Sequence, residues 1–189
     1  MKIKLPICYV LMSILFFSCS TMLRIEPQTC KQSLVIGQIR LEAKNFSKVG
    51  SISVNGIHHS SINIRVLNLT TGEEFEVLSR GGTGLFYFLS EEGNTYSIVN
   101  FKYTNTGTHG TYAQISVSPT DLILQIEPGK VYNIGKIEWN ADKDAHAHYF
   151  TFKRNYLELE NLIRIKYAKS KWNLHEWENV VFSKFYFEG

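Results

Sequence analysis

His146-x-His148, with Asp142 and Asp144 just before it, has the residue types that come closest to a metal site in this 189-residue chain. Imidazole nitrogens and carboxylate oxygens are donors for zinc and related ions, and two histidines one residue apart share a face of a strand, as two ligands require. No third ligand is fixed by local spacing. His58, His59 and His109 would join only if folding brought them close. The expectation is therefore a solvated loop, with no metal and no cofactor. His175 and Glu178 have the His-x-x-Glu spacing of some zinc sites, yet no later histidine follows to complete one. Arg80-Gly81-Gly82-Thr83-Gly84 has the glycines of a phosphate cradle without its Gly-Lys-Ser/Thr ending, so it reads as a tight turn. No Gly-x-Ser-x-Gly elbow is present, and no Cys-His pair is indicated. Catalysis is not expected.

One cysteine has a different chemistry. Met1-Lys2-Ile3-Lys4 is a short basic start, and Leu5 to Phe17 is apolar apart from Ser13, the pattern of an export signal. The apolar run is short for a bilayer span. It stops at Phe16-Phe17-Ser18-Cys19-Ser20, which resembles the lipobox of bacterial lipoproteins, although Phe17 stands where a small residue is commoner. The resemblance implies that Cys19 is lipidated and becomes the first residue of the mature chain. Acyl chains supply about 0.8 kcal/mol per buried methylene, so several together hold a protein on a membrane without a spanning helix. Ser20, in place of an acidic residue, favours the outer over the inner membrane of the cell envelope. Cys8 leaves with the leader and Cys30 remains alone, so no intramolecular disulfide is available.

The formal charge of +3 includes Lys2 and Lys4 of that leader, so the remaining chain is near neutral and nucleic acid is not expected as a partner. With 44% hydrophobic and 13% aromatic residues it can bury one substantial core.

That core is to be built from strands. Leu34 to Leu41, Ser51 to Val54, Ile62 to Leu67, Phe75 to Leu78, Leu85 to Phe88 and Tyr96 to Val99 are short alternating runs bounded by Gly, Asn or Ser. Val35, Gly37, Ile39 and Leu41 form the better core face of the first. Thr70-Thr71-Gly72-Glu73 predicts an antiparallel hairpin. Tyr112 to Val117, Leu122 to Ile126 and Val131 to Trp139 complete eight or nine strands, with Glu127-Pro128-Gly129-Lys130 as a turn. The expected fold is mainly β, an antiparallel two-sheet sandwich.

Gly37, Asn55-Gly56, Ile62-x-Ile64-x-Val66-x-Asn68, Thr71-Gly72-Glu73, Gly84-x-Phe86 and Gly93-x-x-Tyr96 together resemble the prealbumin-like, or transthyretin-like, sandwich also seen in carboxypeptidase regulatory-like domains. Pro128 to Gly135 is similar to the closing strand of such domains in bacterial surface lipoproteins. The resemblance covers about Leu34 to Trp139 and implies a spacer, adhesive or carbohydrate-associated module rather than an activity.

Beyond Trp139 the composition changes. Asn155 and Glu158 at capping spacing, Glu160 and Arg164 at i and i+4, and Lys166 and Lys169 at the far end predict a helix from about Tyr156 to Lys169, packed on the sandwich. The chain is thus read as a lipoprotein signal peptide (1–18), a tether (19–33), the sandwich (34–140) and a C-terminal helical extension (141–189). The functional expectation is a non-catalytic interaction or structural module of the cell envelope. Its partners would be the membrane, through the lipid anchor, and a protein or carbohydrate; the alternative is a carbohydrate- or small-ligand-binding module.

Overall fold

The computed structural model describes residues 26–27, 29–46, 55–59, 61–90, 93–107, 110–118, 122–144 and 146–182. The leader with Cys19, the run Ser51 to Val54, His109 and the aromatics Phe185, Tyr186 and Phe187 lie outside them. In chain order the first strands are β1 (Ser33–Lys44), β2 (Gly56–His58), β3 (Ile62–Asn68), β4 (Glu74–Leu78), β5 (Leu85–Ser90) and β6 (Thr95–Gly107). Then come β7 (Gly110–Val117), β8 (Ile123–Gln125), β9 (Lys130–Asp142), β10 (Ala147–Lys153), helix α1 (Tyr156–Lys166) and β11 (Glu176–Asn179).

The strands form the expected two-sheet sandwich. In the first sheet β1 and β9 run side by side as the long central pair; β10 and β11 flank β9, while β2 and β5 flank β1. In the second the order is β4-β3-β6, with β7 and β8 on the far side of β6. Most pairings are antiparallel, but β9 has parallel neighbours on both sides: short β11, from Glu176 beside Lys130 to Asn179 beside Asn133, and β1, from Leu34 beside Val131 to Lys44 beside Asp142. A parallel neighbour requires a long crossover, and here the whole second sheet lies between β1 and β9 in sequence. The turn at Pro128 and Gly129 carries the chain from β8 in one sheet to β9 in the other.

Alternation decides what each strand buries. Ile62, Ile64 and Val66 of β3 face inward with Ile98 and Phe101 of β6, against Val35, Ile39, Leu41 and Phe86 of the first sheet. Gly37 belongs to that inward row, and a Cβ there would lie 2.6 Å from the Phe86 ring, so its hydrogen makes room for the phenylalanine. Leu34 and Ile36 point the other way and would be wetted without cover. That cover is α1 with the 3-10 turn Lys171–Leu174: Leu159, Ile163 and Trp172 close a second, smaller core over Leu34, Ile36, Leu85, Tyr87 and Val131.

The helix ends at Lys166, about one turn before the expected Lys169: Tyr167, whose N–H makes the last helical bond to Ile163, leaves helical geometry at φ −123° and ψ 46°, and the Ser170 N–H then bonds back to the Tyr167 carbonyl. Its start is held by Asn133, fully buried in β9, whose side chain donates to the Tyr156 carbonyl at 3.0 Å and accepts from Gly135 N–H at 2.9 Å. Gly135, at φ +79°, forms the bulge that shifts the β1–β9 register, and a Cβ there would stand 2.7 Å from the Lys153 carbonyl. Two strands of the first sheet, β10 and β11, lie beyond Asn140, and β9 itself runs on to Asp142.

Candidate functional site

The end of β9, the turn after it and the start of β10 border an open groove of about 570 Å³, lined also by Phe46, Gln114, Ser116 and Ser118. Here the sequence had placed its metal-like cluster. The members are engaged differently from a ligand set. The Asp142 carboxylate accepts from the Asn45 side chain at 2.8 Å and from Asp144 N–H at 3.1 Å, which ties together two turns. His146 sits in the turn at φ +47° and is exposed, so it does not share a strand face with His148. His148 leans on Trp139, and its Nδ1 accepts from the indole N–H at 3.1 Å. An accepting Nδ1 fixes the neutral tautomer with hydrogen on Nε2. Burial acts in the same direction and holds the His148 pKa below its ordinary value. Among the described residues, no three His, Cys, Asp or Glu side chains converge as metal ligands.

Two of the other candidates, His58 and His175, also have internal partners. His58 Nδ1 lies 3.0 Å from the Tyr103 hydroxyl with the rings 4.5 Å apart. His175 Nδ1 donates to the Gly129 carbonyl at 2.8 Å and its ring packs on Trp172, whereas Glu178 takes the Lys130 ammonium at 3.1 Å. The two ends of the His-x-x-Glu spacing therefore hold different parts of the β9 entry turn. Gly84, the last glycine of the cluster, is left-handed at φ +68°, and a Cβ would sit 2.0 Å from the Ile39 carbonyl. The cluster closes a turn, as expected. Cys30 is a free, exposed thiol.

A charged cluster on the outer face of the first sheet is not visible in residue spacing. Glu138, largely buried, takes Arg40 at 3.0 Å and Lys136 at 3.6 Å on one oxygen and Lys153 at 2.9 Å on the other. Burial alone would raise its pKa; the Lys153 hydrogen bond and the Arg40, Lys153 and Lys136 charges outweigh that, and the carboxyl titrates below its usual range. The His59 pKa is lowered as well, by burial first and then by Arg40, Lys136 and His58, which favours its neutral form. The cluster became visible only through registers, since Arg40 is opposite Glu138 and Lys153 opposite Lys136.

A second groove, of about 370 Å³, opens between β4 and β5 and is lined by Phe75, Val77, Leu78, Tyr87, Phe88 and Leu89, with Glu76 and Arg80 at its rim. Among the described residues, no helix is long and apolar enough to cross a membrane. No known protein family matches the sequence, and no curated protein matches it.

Proposed function

We propose that the protein is a lipid-anchored lipoprotein of the bacterial cell envelope, more specifically of the outer membrane, whose prealbumin-like sandwich works as a non-catalytic interaction or structural module. The observation that carries the reading is the apolar run ending at Ser18-Cys19, a thiol placed where an acyl anchor would be attached. The sandwich is consistent with the resemblance, and three of its six histidines hold structural contacts: His58 with Tyr103, His148 with Trp139, His175 with Gly129. A carbohydrate-binding platform would draw first on tryptophan; Trp139 and Trp172 lie fully buried, and the partly buried Trp177 has Arg164 over its ring at 5.5 Å, which favours a protein partner over a sugar.

Fractionation of cells tests the anchor. The wild-type chain is expected with the membranes and Cys19→Ser in the soluble fraction. A Cys19→Ser chain that stays with the membranes would overturn the reading.

A further inference from the structure

We infer that the groove between β4 and β5 is a docking edge for one extended, apolar segment of a protein partner that carries a basic residue, added as a further strand beside β5. The inference rests on the reading of the sandwich as an interaction module and names its surface.

The register shows what the edge offers. Ile39 N–H bonds to the Gly84 carbonyl at 2.9 Å, and antiparallel alternation then makes Gly37–Phe86 and Val35–Phe88 the hydrogen-bonded pairs. The amides of Leu85, Tyr87 and Leu89 therefore point away from β1, toward the groove. The Leu85 carbonyl is already taken by Arg80 N–H at 2.8 Å, which closes one end. The N–H and C=O of Tyr87 and of Leu89 have no partner among the described residues. Beyond the Arg80–Leu85 bridge the two strands diverge, β4 into one sheet and β5 into the other, and the wedge between them is the groove.

A strand edge with open amides above an apolar floor is what an added strand pairs with. Phe75, Val77 and Phe88 form the floor, and Leu78 is half exposed beside it. Charge selects the occupant. Phe75 and Val77 of β4 turn inward and Glu74, Glu76 and Leu78 outward; Arg65 pairs with Glu74 at 3.5 Å, so the carboxylate that lines the groove is Glu76, which accepts from the Asn63 side chain at 3.2 Å. A second copy pairing through this edge would bring its own Glu76 to the same place, whereas a lysine or arginine of a partner would be attracted to Glu76. Among the described residues that line the groove the one cation is Arg80, which lies over the Tyr87 ring at 5.3 Å.

The test uses a labelled, end-capped peptide, Lys-Val-Thr-Val-Lys-Val, titrated into the detergent-solubilised full chain, with fluorescence anisotropy for affinity and hydrogen exchange for location. Leu89→Pro removes an N–H that β1 does not use, and Glu76→Lys reverses the rim charge at an exposed position. Saturable binding is expected, with slowed exchange in residues 85–90 and affinity about tenfold weaker for either variant and for the peptide with Glu in place of Lys. Should Leu89→Pro fail to fold, Glu76→Lys and the acidic peptide decide. No saturable binding, equal affinity for both peptides, or protection of 85–90 by self-association without peptide would overturn the inference. A chain that bears lipid on Cys19 yet binds no peptide loses the docking edge alone; the anchor stands or falls by its own test.

Discussion

At the scale of single residues, protons and packing give the sharpest expectations. His148 is held neutral by the Trp139 N–H and by burial, so the unfolded chain binds its proton more readily than the native one. Stability from this group is full above the ordinary imidazole pKa of about 6.5 and is lost as pH falls through that value. His59, lowered by burial and by Arg40 and Lys136, adds a slope of the same sign. Urea unfolding from pH 8 to pH 5 is expected to show declining stability, about half as steep in His148→Gln, whose amide oxygen can still accept from the indole. An unchanged slope would show that His148 is charged in the native state or does not contribute. Phe86 is fully buried against Gly37, and Phe86→Ala should lower unfolding free energy by about 3–5 kcal/mol. Gly84→Ala, which forces a Cβ into the Ile39 carbonyl at positive φ, should lower it by at least about 2 kcal/mol in the same assay.

At the scale of elements, the outer face of the first sheet is the weak point. Leu159, Ile163 and Trp172 each contribute roughly 1.5–3 kcal/mol on burial before ordering entropy is subtracted. A chain truncated after Lys153 keeps β10 but uncovers Leu34, Ile36, Tyr87 and Val131. It is expected to melt lower and to self-associate in sedimentation, whereas an unchanged melting temperature and a monodisperse boundary would show that the helix is not needed to cover the sheet. The strands that alternate cleanly between turn residues, such as Ile62 to Leu67, were legible because one face is buried and the other wet. The helix was legible from its charge order, Glu160 with Arg164 included, although Asn155 makes no side-chain cap bond to the backbone and donates instead to the Glu158 carboxylate at 2.8 Å. Strand β10 was not: its alternation of His148, Phe150 and Phe152 follows an Asp- and His-rich turn that reads as a break in the domain. Nor could local pattern show that β1 and β9 are parallel neighbours, since that contact joins segments nearly a hundred residues apart. The Glu138 cluster and the β4–β5 groove depend on such long-range registers, and for that reason neither could be read from spacing, while the metal-like residues could be read and are used instead to hold turns.

At the scale of the whole molecule, a sandwich with two cores, stapled by no disulfide within the described residues, is read as standing on a membrane by lipid attached to Cys19. On that reading the docking edge faces the envelope space while the acyl chains supply the attachment. The most direct test is intact mass spectrometry of the protein extracted from membranes, followed by sequencing of its first peptide. The account predicts a mature chain that begins at Cys19 and carries a mass increment of two or three acyl chains, abolished by Cys19→Ser. A mature chain beginning at any other residue, or a Cys19 with an unmodified thiol, would contradict it.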